Sequence, residues 1–235
     1  MKKTVITDIR ISPKCECGLT ALGYSVIKLP PSPDLAPAVA SHPDMLIFIH
    51  SGVLVCEGRY FEANRQTVEQ IATAGGLSVT LAQESLAPEY PGDVLFNAAP
   101  IGERLICRLA SVSESVRALY PESAVINVKQ GYAKCATLTV GDGGVITADP
   151  SVARAAEAAG LSVLMLRSHG VALDGYDCGF IGGASGDDGE HILFAGDLSR
   201  HPEGDAIVEF CRRHRRLPIS LSDEPLYDYG TLIFV

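Results

Sequence analysis

The sequence predicts an α/β fold of five pseudo-repeats that close into a ring, and three observations support this prediction. A helix pattern ends in the same four residues twice, at Gly76-Leu77-Ser78-Val79 and Gly160-Leu161-Ser162-Val163, and Gly23-Tyr24-Ser25-Val26 differs at one position. A glycine at such a junction ends a helix in the left-handed region before a strand begins. Four consecutive stretches read strand, turn, strand, helix and strand, and one strand pattern is left over at the C-terminus. Repeated junctions of this kind indicate a repeated supersecondary unit.

The individual elements follow from apolar periodicity and turn signals, taken in chain order. In the first unit, residues 5–11 alternate like a strand, residues 16–22 form a short helix, and residues 24–29 form the next strand. The first strands of the later units are predicted at 45–49, 94–96, 136–140 and 179–181, and the returning strands at 53–55, 105–107, 145–147 and 192–194. Their helices are predicted at 62–72, 113–120, 150–159 and 202–213, and their closing strands at 77–81, 124–128, 161–166 and 217–221. Asp149 is the expected N-cap of the helix at 150–159, with Pro150 in its first turn.

The leftover strand, residues 231–235, supplies the piece that the first unit lacks. Pairing the two ends of the chain closes the ring and removes exposed sheet edges. We therefore predict one domain, residues 1–235, with units at 4–43 plus 229–235, 44–92, 93–133, 134–176 and 177–228. The alternative is an open α/β sheet with right-handed crossovers, which does not explain a hairpin in every unit.

Composition and charge narrow the class of protein. A hydrophobic share of 47% and a charged share of 20% are typical of a globular protein. The net charge of −9 argues against broad binding to nucleic acid or to anionic membranes. No apolar run approaches the roughly 20 residues that a membrane helix needs. We expect neither a nucleic-acid nor a membrane partner, and the sequence makes no prediction of the oligomeric state.

The cysteines and the N-terminus indicate a cytoplasmic protein with reduced thiols. The seven cysteines are scattered without repeated Cys-x-x-Cys pairs, so a disulfide framework is not expected. Residues 1–8 reach a charge too soon for the apolar core of a signal peptide. Cys15-x-Cys17 lacks partners at zinc spacing. We predict no metal ion and no cofactor.

Five strand–hairpin–helix–strand units closed by the C-terminal strand resemble the pentein fold, the five-bladed α/β-propeller, over essentially the whole chain. That superfamily includes guanidine-modifying enzymes and the non-catalytic ribosome anti-association factor. The resemblance implies a Cys nucleophile at the start of an innermost strand, often the last, with a His and acidic residues at the starts of others. Here the last inner strand, Tyr229-Gly230-Thr231-Leu232, has no cysteine near its start, and the enzymes' Gly-Gly-x-His-Cys segment is absent. Cys135 and Cys178 take the equivalent place in units four and five.

Charged residues stand at the starts of the first strands, which are expected to gather at one mouth of the central channel. They are Asp44, Asp93, Lys134, Asp177 and Asp228. Carboxylates around a concave apolar mouth suit a cationic group such as a guanidinium or an amine. The alternative is that each aspartate caps a turn by accepting hydrogen bonds from neighbouring backbone amides.

Cys135 is the candidate nucleophile, because the neighbouring Lys134 is expected to lower its pKa. The alternative is a small buried apolar residue. His169 is the candidate general base, since it leads into the loop before unit five; a solvated loop histidine is the alternative. Asp177 completes the predicted catalytic set, and His50 and Cys178 join the predicted substrate-binding residues.

The sequence thus predicts a small-molecule site at one mouth of the channel. We interpret it as the site of a hydrolase acting on a C–N bond of a guanidino or amidine-type substrate. In that hypothesis Cys135 attacks, His169 transfers protons, and Asp44, Asp93 or Asp177 holds the cation. The alternative is a non-catalytic binding protein of the same fold that contacts a macromolecular partner. Thiol reactivity of Cys135 separates the two.

Overall fold

Five three-stranded sheets with the same internal order form the framework of the computed structural model, which describes residues 3–235. In each sheet the first strand pairs antiparallel with the second, and the second pairs parallel with the third. Residues 1 and 2 lie outside the described residues. The signal-peptide argument and the predicted domain both include these two residues, so that part of each prediction lies outside the described residues as well. Over residues 3–235, no helix is long and apolar enough to cross a membrane.

The bounds of the elements, in chain order, are as follows. The first stretch contains β1 (Thr4–Asp8), α1 (Pro13–Ala21) and β2 (Ser25–Leu29). The second contains α2 (Pro43–Leu46), β3 (Ile47–His50), β4 (Val53–Glu57), α3 (Gly58–Ala63), α4 (Arg65–Gly75) and β5 (Ser78–Ala82). The third contains β6 (Ala99–Ile101), β7 (Arg104–Cys107), α5 (Glu114–Arg117) and β8 (Val125–Asn127). The fourth contains β9 (Leu138–Val140), β10 (Gly144–Thr147), α6 (Pro150–Ala158) and β11 (Ser162–Met165). The last contains β12 (Ser185–Asp187), β13 (His191–Phe194), α7 (Gly204–Arg213), β14 (Leu217–Ser220) and β15 (Ile233–Phe234).

The C-terminal strand completes the first sheet, as predicted. The sheets have the strand orders β3-β4-β5, β6-β7-β8, β9-β10-β11, β12-β13-β14 and β15-β1-β2. In the last of these, Val5 of β1 pairs with Phe234 of β15 and Ile6 pairs with Ile233. The two ends of the chain therefore form one sheet, and the fold is a mixed α/β fold of five small sheets.

The three junction glycines adopt the backbone conformation that the sequence predicts. The φ angles are 93° at Gly23, 62° at Gly76 and 79° at Gly160. At Gly76 the backbone N–H still reaches the carbonyls of the last turn of α4, and β5 begins two residues later. A left-handed residue at this place turns the chain from the helix into the parallel strand.

Helices α6 and α7 bury one face each against the sheets. The carboxylate of Asp149 accepts hydrogen bonds from the backbone N–H groups of Ser151 and Val152, so the predicted N-cap is confirmed. Helix α7 buries Ile207 and Phe210. Each such side chain contributes about 1.5–3 kcal/mol through the area that it removes from water.

Two of the predicted first strands are wrong. Residues 94–96 and 179–181 form turns and irregular backbone, and the inner strands begin only at Ala99 and Ser185. Val94 and Phe96 are nonetheless buried, so the apolar run indicates burial of these residues and not an extended backbone. Residues 45–46 likewise belong to α2. The predicted site residues in these stretches therefore lie in turns and a short helix that precede the inner strands.

Candidate functional site

Three side chains from distant parts of the chain converge in the interior. His42 is the N-cap residue of α2, Asp44 lies in its first turn, and Cys135 lies in the turn before β9. One atom of each, a ring nitrogen, a carboxylate oxygen and Sγ, lies within 4.8 Å of the other two. The exposed fractions of the residues are only 1%, 2% and 3%. We call this group the buried triad.

Hydrogen bonds hold Cys135 in a fixed orientation. Its Sγ lies 3.0 Å from Asp44 Oδ2 and donates the thiol proton to it. Asn97 Nδ2 donates to the same sulfur at 3.1 Å. Asn97 Oδ1 accepts from the backbone N–H groups of Lys134 at 2.7 Å and Cys135 at 3.2 Å. One asparagine therefore positions both the turn and the thiol.

The imidazole of His42 is free to accept a proton. Within residues 3–235, neither of its ring nitrogens has a hydrogen-bond partner. Asp8 Oδ2 lies 3.8 Å from Nε2, and Asp228 Oδ1 lies 3.8 Å from Nδ1. Burial lowers the pKa of His42, and the carboxylates of Asp228 and Asp8 offset this only in part. The ring is therefore neutral at neutral pH.

Two buried carboxylates flank the histidine and the thiol. Burial raises the pKa of Asp44, and hydrogen bonds from Cys135 and Thr231 oppose the rise. Burial also raises the pKa of Asp228, and the nearby His42 opposes it. Among the described residues, Asp44 Oδ1 lacks a hydrogen-bond partner. Such a carboxylate is incompletely paired, which favours a further cationic or donor group beside it.

The thiol of Cys135 is protonated at neutral pH. Burial raises its pKa well above the usual value, and the carboxylates of Asp44 and Asp228 raise it further. The expectation that Lys134 lowers this pKa is therefore wrong, because burial and two carboxylates outweigh one lysine. Burial lowers the pKa of Lys134 itself.

A cavity of about 270 Å³ opens above the buried triad. Its floor carries His42, Cys135 and Asp228, and apolar side chains such as Leu173 and Phe180 form its walls. The remaining lining residues are Val39, Met45, Tyr132, Tyr176, Asp177 and Cys178. An apolar cleft with a few converging polar groups is the usual form of a small-molecule site.

A second cavity, of about 320 Å³, lies on the other side of Asp44. It is lined by Asp44, Lys134, Thr231 and apolar side chains that include Phe48 and Phe96. Since Asp44 lines this cavity and Cys135 lines the first, their hydrogen bond lies between the two cavities.

Gly182 and Gly183, in the stretch before β12, pack closely against the site. A Cβ atom on Gly183 would lie 1.9 Å from Asp228 Oδ1, and one on Gly182 would lie 2.3 Å from the carbonyl oxygen of Lys134. Only glycine leaves room for this approach. The stretch therefore allows the chain to pass beside Asp228 at the cavity floor.

The sequence profile of a family of unknown function, DUF6873, matches residues 6–233. The chain belongs to the DUF6873 family. No curated protein sequence matches it.

Solved structures of the pentein superfamily share the fold of this DUF6873 chain. A cysteine-to-serine variant of dimethylarginine dimethylaminohydrolase from Pseudomonas aeruginosa, complexed with citrulline, has a TM-score of 0.55 at 10% identity, over 95% of this chain and 93% of that chain. A dimethylarginine dimethylaminohydrolase adduct with 4-chloro-2-hydroxymethylpyridine has a TM-score of 0.54 at 10% identity, with the same coverage. A histidine-to-glycine variant of dimethylarginine dimethylaminohydrolase, in an adduct with S-methyl-L-thiocitrulline, has a TM-score of 0.53 at 12% identity, over 95% of this chain and 93% of that chain. The resemblance to the pentein superfamily is confirmed for the fold.

Within the DUF6873 chain, several of the sequence-predicted site residues lie together. Asp44 and Cys135 share a hydrogen bond. Asp228 lines the same cavity as Cys135. Asp228 also accepts hydrogen bonds from two backbone N–H groups, both at 2.9 Å. Asp177 and Cys178 line the same cavity, with Asp177 exposed to solvent.

The other predicted site residues lie elsewhere. Lys134 lines the second cavity, and Asp93 Oδ2 accepts a hydrogen bond of 2.6 Å from Tyr132 Oη. The ring of His50 stacks on Tyr120 at 4.3 Å. His169 packs edge-on against Phe180 at 5.5 Å and, among the described residues, is not part of either cavity lining.

Three functional candidates were missed by sequence reasoning: His42, Asn97 and Thr231. His42 stands at the end of the first predicted unit, two residues before Asp44, and Thr231 is the first residue of the leftover strand. Of these two places, only that of Thr231 matches the strand-start positions at which the other candidates are predicted. Asn97 follows a run that was assigned to a strand, which hid its position in a turn.

Proposed function

We propose that the cavity binds a small molecule with a cationic, amidine-type group and that Cys135 attacks its central carbon in the hydrolysis of a C–N bond. The observation that carries this proposal is the convergence of the Cys135 thiol, the neutral His42 ring and the Asp44 carboxylate within 4.8 Å beside the cavity. The fold adds support, since dimethylarginine dimethylaminohydrolases of similar fold are complexed with citrulline and form an adduct with S-methyl-L-thiocitrulline.

The carboxylates supply the attraction for a cation. Asp44 and Asp228 are buried near the thiol, and burial raises the pKa of each because the charged form loses its contact with water. A bound guanidinium or amidinium provides the missing partner through charge-assisted hydrogen bonds. The apolar side chains of Leu173 and Phe180 line the cavity, and an apolar lining strengthens that attraction.

The same cation activates the thiol. A positive charge within hydrogen-bond reach favours the thiolate and opposes the effect of the two carboxylates. His42 accepts the proton of Cys135, and Asn97 Nδ2 stabilises the sulfur anion through its existing hydrogen bond. A C–S bond forms, the C–N bond breaks, and the leaving nitrogen takes the proton from His42. Water then cleaves the C–S bond and restores the thiol.

We further propose that the five sheets close into the ring of a five-bladed α/β-propeller, with one domain and the five units given above. The shared strand order and the β15–β1 pairing support this closure. Contacts of β9 with β6 and β12, and of β12 with β15, support it as well. The cytoplasmic location and the absence of nucleic-acid and membrane partners stay predictions from the sequence.

The second candidate is a binding protein without catalysis, which includes the predicted contact with a macromolecular partner. The observation that favours it is the state of Cys135, which is 3% exposed and whose pKa lies well above the usual value. A thiol in that state is a poor nucleophile until a cation lies beside it.

Site-resolved labelling separates the two candidates. The native protein is treated in a metal chelator with chloroacetamidine, which is cationic, or with chloroacetamide, its neutral analogue, and each cysteine is followed by peptide mass spectrometry. We expect the cationic reagent to label Cys135 at least about tenfold faster than the neutral one, because opposite charges attract strongly in a partly desolvated site. The ratio of the two labelling rates at the exposed Cys17 of the same protein serves as the reference.

Charge-neutral variants test the origin of this preference. Asp228→Asn should reduce the cationic preference at Cys135, whereas Asp223→Asn, at an exposed aspartate paired with Lys14, should leave it unchanged. A Cys135 that shows the same ratio as Cys17, or that stays unlabelled until the protein unfolds, contradicts the enzymatic proposal and favours the second candidate.

A further inference from the structure

We infer that His42, Asp44 and Cys135 form a binding site for one zinc-type divalent metal ion, with an imidazole, a carboxylate and a thiolate as ligands. The inference goes beyond the proposed function, because metal binding needs neither an amidine substrate nor a C–N bond. Since it uses the same thiol, the metal-bound state and the nucleophilic state exclude each other.

The distances within the buried triad suit a single ion. Zinc bonds of about 2.0–2.3 Å place the ligand atoms of one tetrahedral ion roughly 3–4 Å apart. The Cys135 Sγ to Asp44 Oδ2 distance is 3.0 Å, and all three ligand atoms lie within 4.8 Å of one another. A modest rotation of the His42 ring completes the set, and no hydrogen bond to the ring has to break within residues 3–235.

Unpartnered buried atoms point to a missing ligand. In the part of the chain that the structure describes, both ring nitrogens of His42 and Asp44 Oδ1 lack hydrogen-bond partners. The two residues are 1% and 2% exposed, so water does not replace those partners at the surface. Buried polar groups without partners are rare in folded proteins. A metal ion satisfies a ring nitrogen and the carboxylate together.

The charges around the buried triad favour a cation. Asp8 Oδ2 lies 3.8 Å from Nε2 of the His42 ring and Asp228 Oδ1 lies 3.8 Å from Nδ1, so each ring nitrogen has a carboxylate near it. Arg10 Nε pairs with Asp8 Oδ1 at 2.9 Å, whereas the basic groups that act on Asp44 and Asp228 are the buried Lys134 and His42, whose pKa values are both lowered by burial. A divalent ion therefore enters a site that is already electronegative.

The donor set selects the class of metal. Magnesium and calcium take oxygen ligands, whereas thiolate and imidazole suit zinc and its neighbours in the first transition series. Three protein ligands leave a fourth position, and the 270 Å³ cavity that His42 and Cys135 line offers room for a further ligand. When the metal–sulfur bond forms, the S–H bond breaks and the proton passes to solvent.

Cobalt titration of the metal-free protein tests the inference. We expect Co²⁺ to bind at one equivalent, to give an intense thiolate-to-cobalt charge-transfer band in the near ultraviolet, and to be displaced by one equivalent of Zn²⁺. Cys135→Ser should abolish the band. His42→Gln should weaken the Co²⁺ affinity by about 10–100-fold or more, since even the loss of an outer partner of a metal ligand has an effect of that size.

Cys178→Ser is the matched control, because Cys178 lines the same cavity but is outside the buried triad. It should keep both the band and the affinity. A wild-type protein that shows no charge-transfer band in excess Co²⁺ overturns the inference without any variant. A band that survives Cys135→Ser, or that disappears with Cys178→Ser, overturns it as well. The titration contains no substrate and the labelling above contains a chelator, so each proposal can fail separately.

Discussion

At the scale of single residues, Asp44 connects the parts of the site. Its Oδ2 accepts the thiol proton of Cys135 at 3.0 Å and lies 2.8 Å from Thr231 Oγ1. Its other oxygen has no hydrogen-bond partner among residues 3–235. An ionised carboxylate needs several donors when it is buried. The described residues thus satisfy Asp44 only in part, which supports the proposal that a cation binds beside it.

Thr231 holds a strained backbone conformation at the same place. Its φ angle is 77°, in the left-handed region, which β-branched residues rarely adopt. Its hydroxyl lies within hydrogen-bond distance of both Asp44 Oδ2 and the Gly182 carbonyl oxygen, at 2.8 and 3.0 Å. Strain of this kind persists where the surrounding structure enforces it, and it clusters at functional sites.

The strain predicts an unusual order of stability at position 231. Thr231→Ala and Thr231→Gly both remove the hydroxyl, but only glycine relieves the left-handed backbone. We expect the glycine variant to be more stable than the alanine variant by about 1 kcal/mol, measured as the free energy of unfolding in urea. At Thr73, inside helix α4, the same pair of changes should give the opposite order. An alanine variant that is the more stable at both positions contradicts the strain.

At the scale of elements, the chemistry of the site lies in segments that precede strands. Asp44 lies in the four-residue helix α2, and Cys135 lies in the turn before β9. The short strands β3 and β9 that follow them fix the direction of each segment through their pairing with β4 and β10. Rigid strands thus support irregular backbone that carries the reactive groups.

A hydrogen bond from Tyr24 is one of those that connect the first sheet to the last hairpin. Tyr24, just before β2, donates its hydroxyl proton to Asp188, which lies between β12 and β13. Burial alone would raise the pKa of Asp188, but hydrogen bonds from Tyr24 and from the backbone N–H groups of His191 and Glu190 lower it below its usual range. A carboxyl group with a lowered pKa stabilises the folded state above its unfolded pKa, and this stabilisation is lost as the pH falls toward the folded value.

Tyr24→Phe should therefore destabilise the protein by about 2 kcal/mol at neutral pH, as expected for a hydrogen bond to a charged group. The difference from wild type should shrink at a pH well below the usual aspartate pKa of about 3.9, because Asp188 without the Tyr24 hydrogen bond has a higher folded pKa and binds its proton before the wild-type residue does. Urea unfolding at neutral pH and at a pH well below about 3.9 measures the difference in the free energy of unfolding between Tyr24→Phe and the wild type. Tyr60→Phe is the control, since Tyr60 Oη donates to the neutral carbonyl oxygen of Pro30 at 2.9 Å. A Tyr24 effect that is as independent of pH as the Tyr60 effect contradicts the account.

Local signals in the sequence were sufficient for some elements and insufficient for others. The ends of α4 and α6 were predicted because a left-handed glycine depends on the chain beside it, as at Gly76. The strand prediction at 94–96 was wrong, because a buried turn and a buried strand can contain the same kinds of apolar residue.

The candidate site, too, could be predicted from the sequence only in part. Asp44 and Cys135 could be found from their place at unit starts, although 91 residues separate them. His42 carries no local signal of its role, because its partners come from other units. The pKa of Cys135 could not be inferred from Lys134 beside it in the sequence, since the dominant causes are burial and the carboxylates of distant residues.

At the scale of the whole molecule, one sheet order is repeated five times, and segments that precede strands of different sheets bring Asp44, Asn97, Cys135 and Thr231 together. The pairing of β15 with β1 completes the first sheet and places Thr231 beside Asp44. Asp44 and Thr231 both line the cavity of about 320 Å³, and Cys135, the other partner of Asp44, lines the cavity of about 270 Å³. The site is therefore a property of the assembled fold, and no single unit contains it.

The central claim is that His42 and Cys135, far apart in sequence, lie together in one buried site. The most direct test is a ¹⁵N NMR spectrum of the six histidine rings in the wild type, in Cys135→Ser and in Cys211→Ser, a change at a buried cysteine of helix α7. We predict that Cys135→Ser shifts the ring signals of His42 while those of His50 stay in place, and that Cys211→Ser leaves the His42 signals unchanged. His42 signals that are identical in the wild type and in Cys135→Ser would contradict the account.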